Sequence, residues 1–292
     1  MRIVLFGKNG QLGWEFQRIL PILGEVIALG RDEVDVSNLQ KVKETLDKLK
    51  PNLIINTSAY TEVDRAETDV ELAMNINALA PAVMAEAARK QDAVFIQYST
   101  DYVFDGKKDI PYTENDPTHP LNTYGRSKLM GEENIKQAGD AYLILRTSWV
   151  YSLRGNSFVN KVLGWARKNE NLKVVSDQIS GPTWARMLAG ITSLMLAQNH
   201  ANLLEIIRER RSVYHLAGAG YTSRYEWAKE ILVNDPNRTE QIVRDLEPAR
   251  SDDFPTTAVR PLFSALDCTR FEDTFGLKLP NWNSTLKLAM TR

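Results

Sequence analysis

The sequence predicts an α/β protein with a doubly wound parallel sheet of the Rossmann type and a smaller C-terminal domain. Short, almost wholly apolar segments alternate with helical segments through the first half of the 292-residue chain. The first apolar segment runs directly into glycines spaced G-x-x-G-x-x-G. With 43% hydrophobic and 25% charged residues, the chain can bury one large core or two modest ones.

The predicted elements of the first half follow one another in strict alternation. The predicted strands span residues 3–6, 26–29, 53–57, 94–98 and 142–150. The predicted helices between them span 11–23, 38–50, 71–91 and 124–137, and a long loop occupies 100–122. Wholly apolar strands separated by helices indicate a parallel sheet covered on both faces. Such sheets bind ligands beyond the carboxyl ends of their strands.

The alternation weakens after residue 149. Helical patterns remain at 157–168 and 183–198, and 213–216 forms another short apolar segment. The last seventy residues carry prolines among shorter elements, at Pro236, Pro248, Pro255, Pro261 and Pro280. We therefore predict a dinucleotide-binding domain over 1–218 and a substrate-binding domain over 219–292, with some of 150–183 contributing to the second. Because no long linker separates them, we expect a broad interface.

Composition and charge exclude several classes of function. The 36 basic and 37 acidic residues give a net charge of −1, which provides no global footprint for nucleic acid. The run 208–211 is interrupted by Glu209 and is interpreted as a solvated helix end. Cys268 is the only cysteine and the three histidines lack zinc-ligand spacing, so we expect neither a disulfide nor a structural metal. Without an 18-residue apolar run or a secretory signal, we expect a cytoplasmic protein that does not bind membranes.

The glycine-rich turn predicts a bound dinucleotide. Gly7, Gly10 and Gly13 permit a tight turn and close approach of the backbone to a pyrophosphate, and the helix beginning near Gln11 points free N–H groups at that anion. Arg31 follows the second strand, where such folds bind the adenosine ribose. A basic side chain there favours the 2′-phosphate of NADPH, although neighbouring acidic residues leave NADH as the alternative. A glycine-rich turn without a ligand is the competing interpretation.

A Y-x-x-x-K pattern predicts acid–base chemistry. The spacing places Tyr124 and Lys128 on one face of a helix. Because a tyrosine titrates near 10, a nearby ammonium can lower its pKa toward neutrality. The predicted strand 94–98 ends just before Ser99 and Thr100, so one of these hydroxyls is expected at the same edge. A second copy, at residues 225–229, has Trp227 and Ala228 between its ends and is interpreted as a packing helix.

Five segments carry a family resemblance. They are FGKNGQLGWE (6–15), STDYVFDG (99–106), YGRSK (124–128), RTSWVY (146–151) and VRPLFSALD (259–267). Together they resemble the dTDP-4-dehydrorhamnose reductases, a family of the extended short-chain dehydrogenase/reductase superfamily, over nearly the whole chain. The resemblance implies an NADPH-dependent oxidoreductase that reduces the C4 ketone of dTDP-4-dehydro-L-rhamnose to dTDP-L-rhamnose.

The resemblance also implies residue roles. Tyr124 would be the proton donor, Lys128 would bind the nicotinamide ribose, and Thr100 would hydrogen-bond the reacting carbonyl. The residues expected to bind the cofactor are Gly7, Gly10, Gln11, Leu12, Gly13, Arg31, Asp35, Val36, Ala59, Tyr60, Thr61 and Tyr98. Those expected to bind the sugar nucleotide are Asp101, Tyr102, Trp149 and Arg260.

Several alternatives stay open from the sequence. Trp149 could be a core residue, Tyr102 could brace its loop, and Asp35 could cap the helix after it. An epimerase or dehydratase of the same superfamily would keep the catalytic residues, and a regulatory subunit like that of methionine adenosyltransferase would keep the fold.

One position departs from the family pattern. Some relatives carry at position 186 an acid that joins a metal-bridged dimer contact. This chain has Arg186, and a guanidinium cannot ligate a cation. We therefore expect no bridging metal at Glu15, and the choice between monomer and homodimer stays open.

Overall fold

The computed structural model describes residues 1–291. Its strands are β1 (Arg2–Phe6), β2 (Glu25–Leu29), β3 (Leu53–Asn56), β4 (Val94–Thr100), β5 (Tyr142–Thr147), β6 (Val150–Tyr151), β7 (Asn171–Val175), β8 (Ile179–Ser180), β9 (Thr183–Trp184), β10 (Ser212–His215), β11 (Thr222–Ser223) and β12 (Asp245–Ala249). Its α-helices are α1 (Gln11–Ile19), α2 (Leu39–Leu49), α3 (Val70–Met74), α4 (Ala80–Lys90), α5 (Thr123–Ala138), α6 (Phe158–Ala166), α7 (Ala185–Gln198), α8 (Leu203–Glu209), α9 (Arg224–Val233), α10 (Thr269–Phe275) and α11 (Trp282–Met290).

Six strands form a parallel sheet in the order β2-β1-β3-β4-β5-β10. The chain leaves β1 for β2 on one side and then crosses to β3 on the other. The strand order therefore reverses between β1 and β3, which opens a crevice at the carboxyl ends of these strands. This arrangement confirms the predicted fold class.

Alternating side chains of the sheet enter two apolar clusters, one on each face. Ile3 and Leu5 pack into a cluster that includes α1, α7 and α8. Val4 and Phe6 pack into the other, which includes α2 and α4. Because successive residues of a strand point to opposite faces, a wholly apolar strand must be covered on both sides. The apolar segments of the sequence predicted this layering.

A third apolar cluster forms the core of a smaller lobe. It combines residues from 151–184 with residues from 227–290, including Trp184, Trp227 and Trp282. Strands β7 and β12 pair in parallel across these two parts of the chain. Phe271 and Phe275 of α10 pack instead on the large sheet's cluster. The boundary at residue 218 stays a prediction.

The predicted helix 71–91 is wrong as a single element. A π-helical turn, Asn75–Leu79, separates α3 from α4. Pro81 lacks the N–H that would bond the Asn77 carbonyl in an uninterrupted helix. At Gly131 of α5, a Cβ would lie 2.1 Å from that carbonyl oxygen, so α5 packs directly on the π-helical turn.

Three other predicted boundaries are also wrong. Helix α1 ends at Ile19 and a 3₁₀ turn containing Pro21 follows. The predicted strand 142–150 ends at Thr147, and after Trp149, which has a positive φ of 41°, Val150 begins the separate strand β6. The predicted helix 183–198 begins only at Ala185, after β9. No helix within residues 1–291 is long and apolar enough to cross a bilayer.

Helix α1 packs on the turn after β1 through Gly13. A Cβ at this position would lie 2.1 Å from the carbonyl oxygen of Gly7, whose φ of 88° itself requires glycine. Because backbone atoms cannot yield as a flexible side chain can, we expect Gly13→Ala to lower the free energy of unfolding by about 1–3 kcal/mol.

Urea unfolding measures this change without cofactor. The matched control is Gly190→Ala in α7, where a Cβ would meet nothing within 4 Å. The control should be as stable as the wild type or up to about 1 kcal/mol more stable, since alanine favours helix. Equal stability of both variants would contradict the close packing of α1.

Candidate active site

A cleft of about 890 Å³ lies at the carboxyl ends of the five strands β1–β5. Most residues predicted to bind cofactor or substrate line it: Gly7, Gly10, Gln11, Leu12, Arg31, Asp35, Val36, Ala59, Tyr60, Thr61, Tyr98, Thr100, Asp101, Tyr124, Lys128 and Trp149. Three predicted residues, Gly13, Tyr102 and Arg260, are not among the residues that line it. The fold thus brings together segments that are far apart in the sequence.

The glycine turn forms one end of the cleft. The amide of Gly7 donates to the Leu29 carbonyl, 2.9 Å away, and Gly10 precedes the first turn of α1. No acidic residue lies in that first turn, and the first N–H groups of a helix have no partner within it. A Cβ at Gly7 would lie 2.7 Å from the Ser58 amide nitrogen. The backbone therefore shapes a close-fitting cradle for an anion such as a pyrophosphate.

Charged residues border the cleft beyond β2. The Arg31 side chain is 78% exposed and pairs with Asp35 across 3.2 Å. Asp35 accepts hydrogen bonds from the amide and hydroxyl of Ser37, which hold the pKa of its carboxyl below the usual range. Asn38, not Asp35, caps α2. A guanidinium and a carboxylate both border this end, so it can accept either a 2′-phosphate or a 2′-hydroxyl.

Helix α5 brings Tyr124 to Thr100. The Asn122 side chain caps α5 by accepting from the Gly125 amide at 2.8 Å. A Cβ at Gly125 would lie 2.3 Å from the Tyr102 carbonyl oxygen, so the helix begins directly against the turn after β4. As a result the Tyr124 phenol lies beside the Thr100 hydroxyl.

Burial keeps the Tyr124 phenol protonated. Desolvation raises the pKa of Tyr124, and the Thr100 hydroxyl opposes that shift. Lys128, predicted to lower this pKa, donates instead to the Tyr98 carbonyl at 2.6 Å. Desolvation lowers the pKa of Lys128 to about 8, against the opposing effect of Glu132. Near neutral pH the site therefore combines a neutral phenol with a mostly protonated amine.

The Tyr98 side chain lies in the core. Its hydroxyl shares a 2.7 Å hydrogen bond with the Thr192 hydroxyl, and its ring packs near Phe16. The same residue holds Lys128 through its backbone carbonyl. The Tyr98 side chain thus fixes β4 against α1 and α7.

The sequence reasoning missed a buried ion pair behind Lys128. Glu132 of α5 binds Arg146 of β5 through two hydrogen bonds of 2.9 and 2.6 Å. Ser99, the other candidate hydroxyl at the end of β4, donates to the same carboxylate at 2.5 Å. The sequence does contain a pattern that indicates Glu132, because Tyr124, Lys128 and Glu132 are spaced by four residues along one helix face.

Asn77 in the π-helical turn was also missed. Its side-chain oxygen accepts from the Tyr60 amide at 2.9 Å, and its side-chain nitrogen donates to the Tyr60 carbonyl at 3.1 Å. The same nitrogen donates to the Ser127 hydroxyl at 2.9 Å. Asn77 thus fixes the segment after β3 against α5.

Asp101 connects the large sheet to the smaller lobe. Its buried carboxylate accepts from the hydroxyls of Thr100 at 3.1 Å, Ser180 at 3.2 Å and Ser264 at 2.5 Å. Burial raises its pKa to about 6, although these hydrogen bonds oppose the shift. Asp101 lines the cleft and also orients the Thr100 hydroxyl.

Trp149 faces the cleft from the strained link between β5 and β6. Bulky residues seldom adopt a positive φ, and such strain persists where surrounding contacts impose it. The Trp149 ring stacks on Trp227 with centroids 5.5 Å apart. It therefore contributes to both the cleft and the smaller lobe's core.

The other predicted residues lie near the cleft or away from it. The Tyr102 ring meets the Tyr124 ring edge-on, with centroids 5.7 Å apart. Arg260 binds both carboxylate oxygens of Asp64, at 3.1 and 2.7 Å. In the second Y-x-x-x-K pattern, Tyr225 donates to the Leu246 carbonyl and Lys229 pairs with Glu226. The second pattern is thus held within the smaller lobe.

Arg186 lies 3.7 Å from the Glu15 carboxylate in an ion pair. Within residues 1–291, no three His, Cys, Asp or Glu side chains converge as a metal-binding group.

Comparisons with known proteins agree on one family. The family model described as the RmlD substrate binding domain matches residues 1–292. A dTDP-4-dehydrorhamnose reductase from Burkholderia thailandensis is 38% identical over 299 aligned residues, which cover 99% of this chain and 98% of that protein.

Two crystal structures of proteins with the same name are also similar. The Clostridium acetobutylicum structure has a TM-score of 0.90 and 35% identity, with 99% and 98% of the two chains covered. The Bacillus anthracis structure, in complex with NADP, has a TM-score of 0.87 and 31% identity, with 98% and 97% covered.

The buried Asp101 carboxyl predicts a specific pH dependence of stability. The folded protein binds the proton of the Asp101 carboxyl more tightly than the unfolded chain does. The free energy of unfolding therefore falls as the pH rises from 3.8 toward about 6, and then levels off. Asp101→Asn removes this contribution. Between pH 4 and pH 7.5 the wild type should therefore lose about 1–3 kcal/mol of unfolding free energy relative to the variant. Urea unfolding at both pH values measures this; a constant difference would contradict the prediction.

Proposed function

The chain belongs to the dTDP-4-dehydrorhamnose reductase family, and on that premise we propose that it reduces the C4 ketone of dTDP-4-dehydro-L-rhamnose to dTDP-L-rhamnose. NADPH is the proposed reductant, and NADH is the alternative. The observation that carries the proposal is the meeting of Thr100, Tyr124 and Lys128 in the cleft that begins at the glycine turn. The relatives' shared name supports the same reaction.

The residues of the cleft fit a dinucleotide. The cradle around Gly7 and the first turn of α1 would hold the pyrophosphate, and Arg31 would contact a 2′-phosphate. Lys128, fixed by the Tyr98 carbonyl, would hold the nicotinamide ribose. NADPH, when bound, supplies the hydride that reduces the ketone carbon.

Tyr124 is the proposed proton donor. Burial raises its pKa, so the phenol holds its proton until negative charge develops on the substrate oxygen. The Thr100 hydroxyl lies beside the phenol and donates to Asp101 in the free protein. On substrate binding it would turn its proton from Asp101 to the same substrate oxygen. Protonation of this kind contributes roughly 10²- to 10⁴-fold to a rate.

The smaller lobe is the proposed substrate-binding region. Its core joins residues from 151–184 to residues from 227–290, which supports the predicted domain over 219–292 with a contribution from 150–183. Trp149, Tyr102 and Asp101 lie between this lobe and the catalytic residues. We propose that the protein acts on this nucleotide sugar in the cytoplasm, as a monomer or a homodimer.

The reaction is tested by mixing purified protein with dTDP-4-dehydro-L-rhamnose and NADPH and following the loss of absorbance. Stoichiometric NADPH consumption supports a reductase, whereas an epimerase or dehydratase would consume none. Turnover without any other protein argues against a regulatory subunit. No consumption with either NADPH or NADH would overturn the proposal.

Replacing the proton donor gives a sharper result. Tyr124→Phe should lower kcat by roughly 10²- to 10⁴-fold and leave NADPH affinity, measured by fluorescence titration, within about threefold. The matched control is Tyr225→Phe, which removes a phenol held by the Leu246 carbonyl. This control should keep wild-type kcat. A Tyr124→Phe variant with near-wild-type kcat would remove Tyr124 from the proposed role.

A further inference from the structure

Arg224 is a cation surrounded by aromatic rings. It is the first residue of α9, and its side chain is partly buried. Its guanidinium carbon lies 3.8 Å from the ring centroid of Trp149, 4.9 Å from that of Phe158 and 5.7 Å from that of Trp227. Within residues 1–291 it makes no salt bridge. A partly desolvated charge of this kind is costly unless another group compensates it.

Other arginines of this region have carboxylate partners. Arg260 binds Asp64 through both oxygens, and Arg167 binds Asp235 and Glu240. These partners raise the pKa of both guanidinium groups, whereas burial lowers the pKa of Arg224. The charge of Arg260 is therefore largely neutralised by Asp64, whereas the charge of Arg224 remains available to an anionic ligand.

Arg224 lies close to the catalytic residues. The Tyr102 phenol lies within electrostatic reach of both Arg224 and Arg260, and the Tyr102 ring contacts the Tyr124 ring edge-on. Trp149, on which Arg224 stacks, lines the cleft. An anionic group bound at Arg224 would thus lie one aromatic ring away from the proton donor.

We infer that Arg224 and the Tyr102 hydroxyl bind the diphosphate of the nucleotide sugar, while Arg260 positions the loop that contains Asp64. The inference rests on the proposed function, because it assigns a binding group for that substrate. A planar guanidinium forms paired hydrogen bonds with phosphate oxygens, and stacking on Trp149 fixes its plane. It also changes the assignment of Arg260, which the family resemblance placed among the residues that bind the sugar nucleotide.

The test measures binding of thymidine diphosphate and of thymidine by calorimetry. Arg224→Met keeps an unbranched side chain over Trp149 and removes the charge. It should weaken thymidine diphosphate binding about 10- to 100-fold and leave thymidine binding unchanged. Arg224→Lys, which keeps a charge, should lie between the wild type and Arg224→Met. The matched control is Arg244→Met, because the Arg244 side chain is 75% exposed and pairs with Glu170 in the smaller lobe.

Binding separates this inference from the proposed reaction, since it requires no turnover. Loss of thymidine diphosphate binding in Arg224→Met supports the site even if no ketone is reduced. Binding within twofold of the wild type would overturn it. Equal weakening of thymidine and thymidine diphosphate would also overturn it, since that pattern shows a packing role on Trp149.

Discussion

The buried ion pair between Glu132 and Arg146 fixes the helix on which the whole site depends. It joins α5 to β5, and the Ser99 hydroxyl adds β4 to the same carboxylate. Removing one partner of such a pair leaves an uncompensated buried charge, at a cost of about 3–5 kcal/mol. With α5 held in this position, Lys128 meets the Tyr98 carbonyl and Tyr124 meets Thr100. The geometry proposed for catalysis therefore depends on a contact formed behind these three side chains.

A second set of contacts joins the two lobes across the cleft. Asp101 binds Ser180 and Ser264, and Arg260 binds Asp64. These contacts are polar, whereas the core of each lobe is apolar. The groups proposed to be catalytic belong to the large sheet and α5, and the groups proposed to bind the nucleotide sugar belong to the border between the lobes. On the proposed function, this division would let one sheet hold the cofactor while the border selects the substrate.

The sequence predicts those parts of the molecule that local pattern determines. The apolar segments predict the first five strands, because a buried parallel strand has no polar face. The spacing of Tyr124 and Lys128 places them on one face of α5. The same four-residue spacing, continued by one step, places Glu132 on that face. The π-helical turn could not be predicted, because it requires both Pro81 and the packing of Gly131. The positive φ of Trp149 likewise depends on residues distant in the sequence. The same holds for Arg224, which has no carboxylate partner among residues 1–291.

We propose that Glu132 acts on catalysis through Lys128, and the pH dependence of kcat/KM in Glu132→Gln tests this role most directly. The Glu132 carboxylate raises the pKa of Lys128, which lies at about 8 in the wild type. Removing this charge, with Arg146 left unbalanced, should lower that pKa. The fall in kcat/KM at alkaline pH should therefore begin at a lower pH than in the wild type, provided that the variant is assayed where it remains folded. A fall in kcat/KM that begins at the same alkaline pH in both proteins would contradict this role of Glu132.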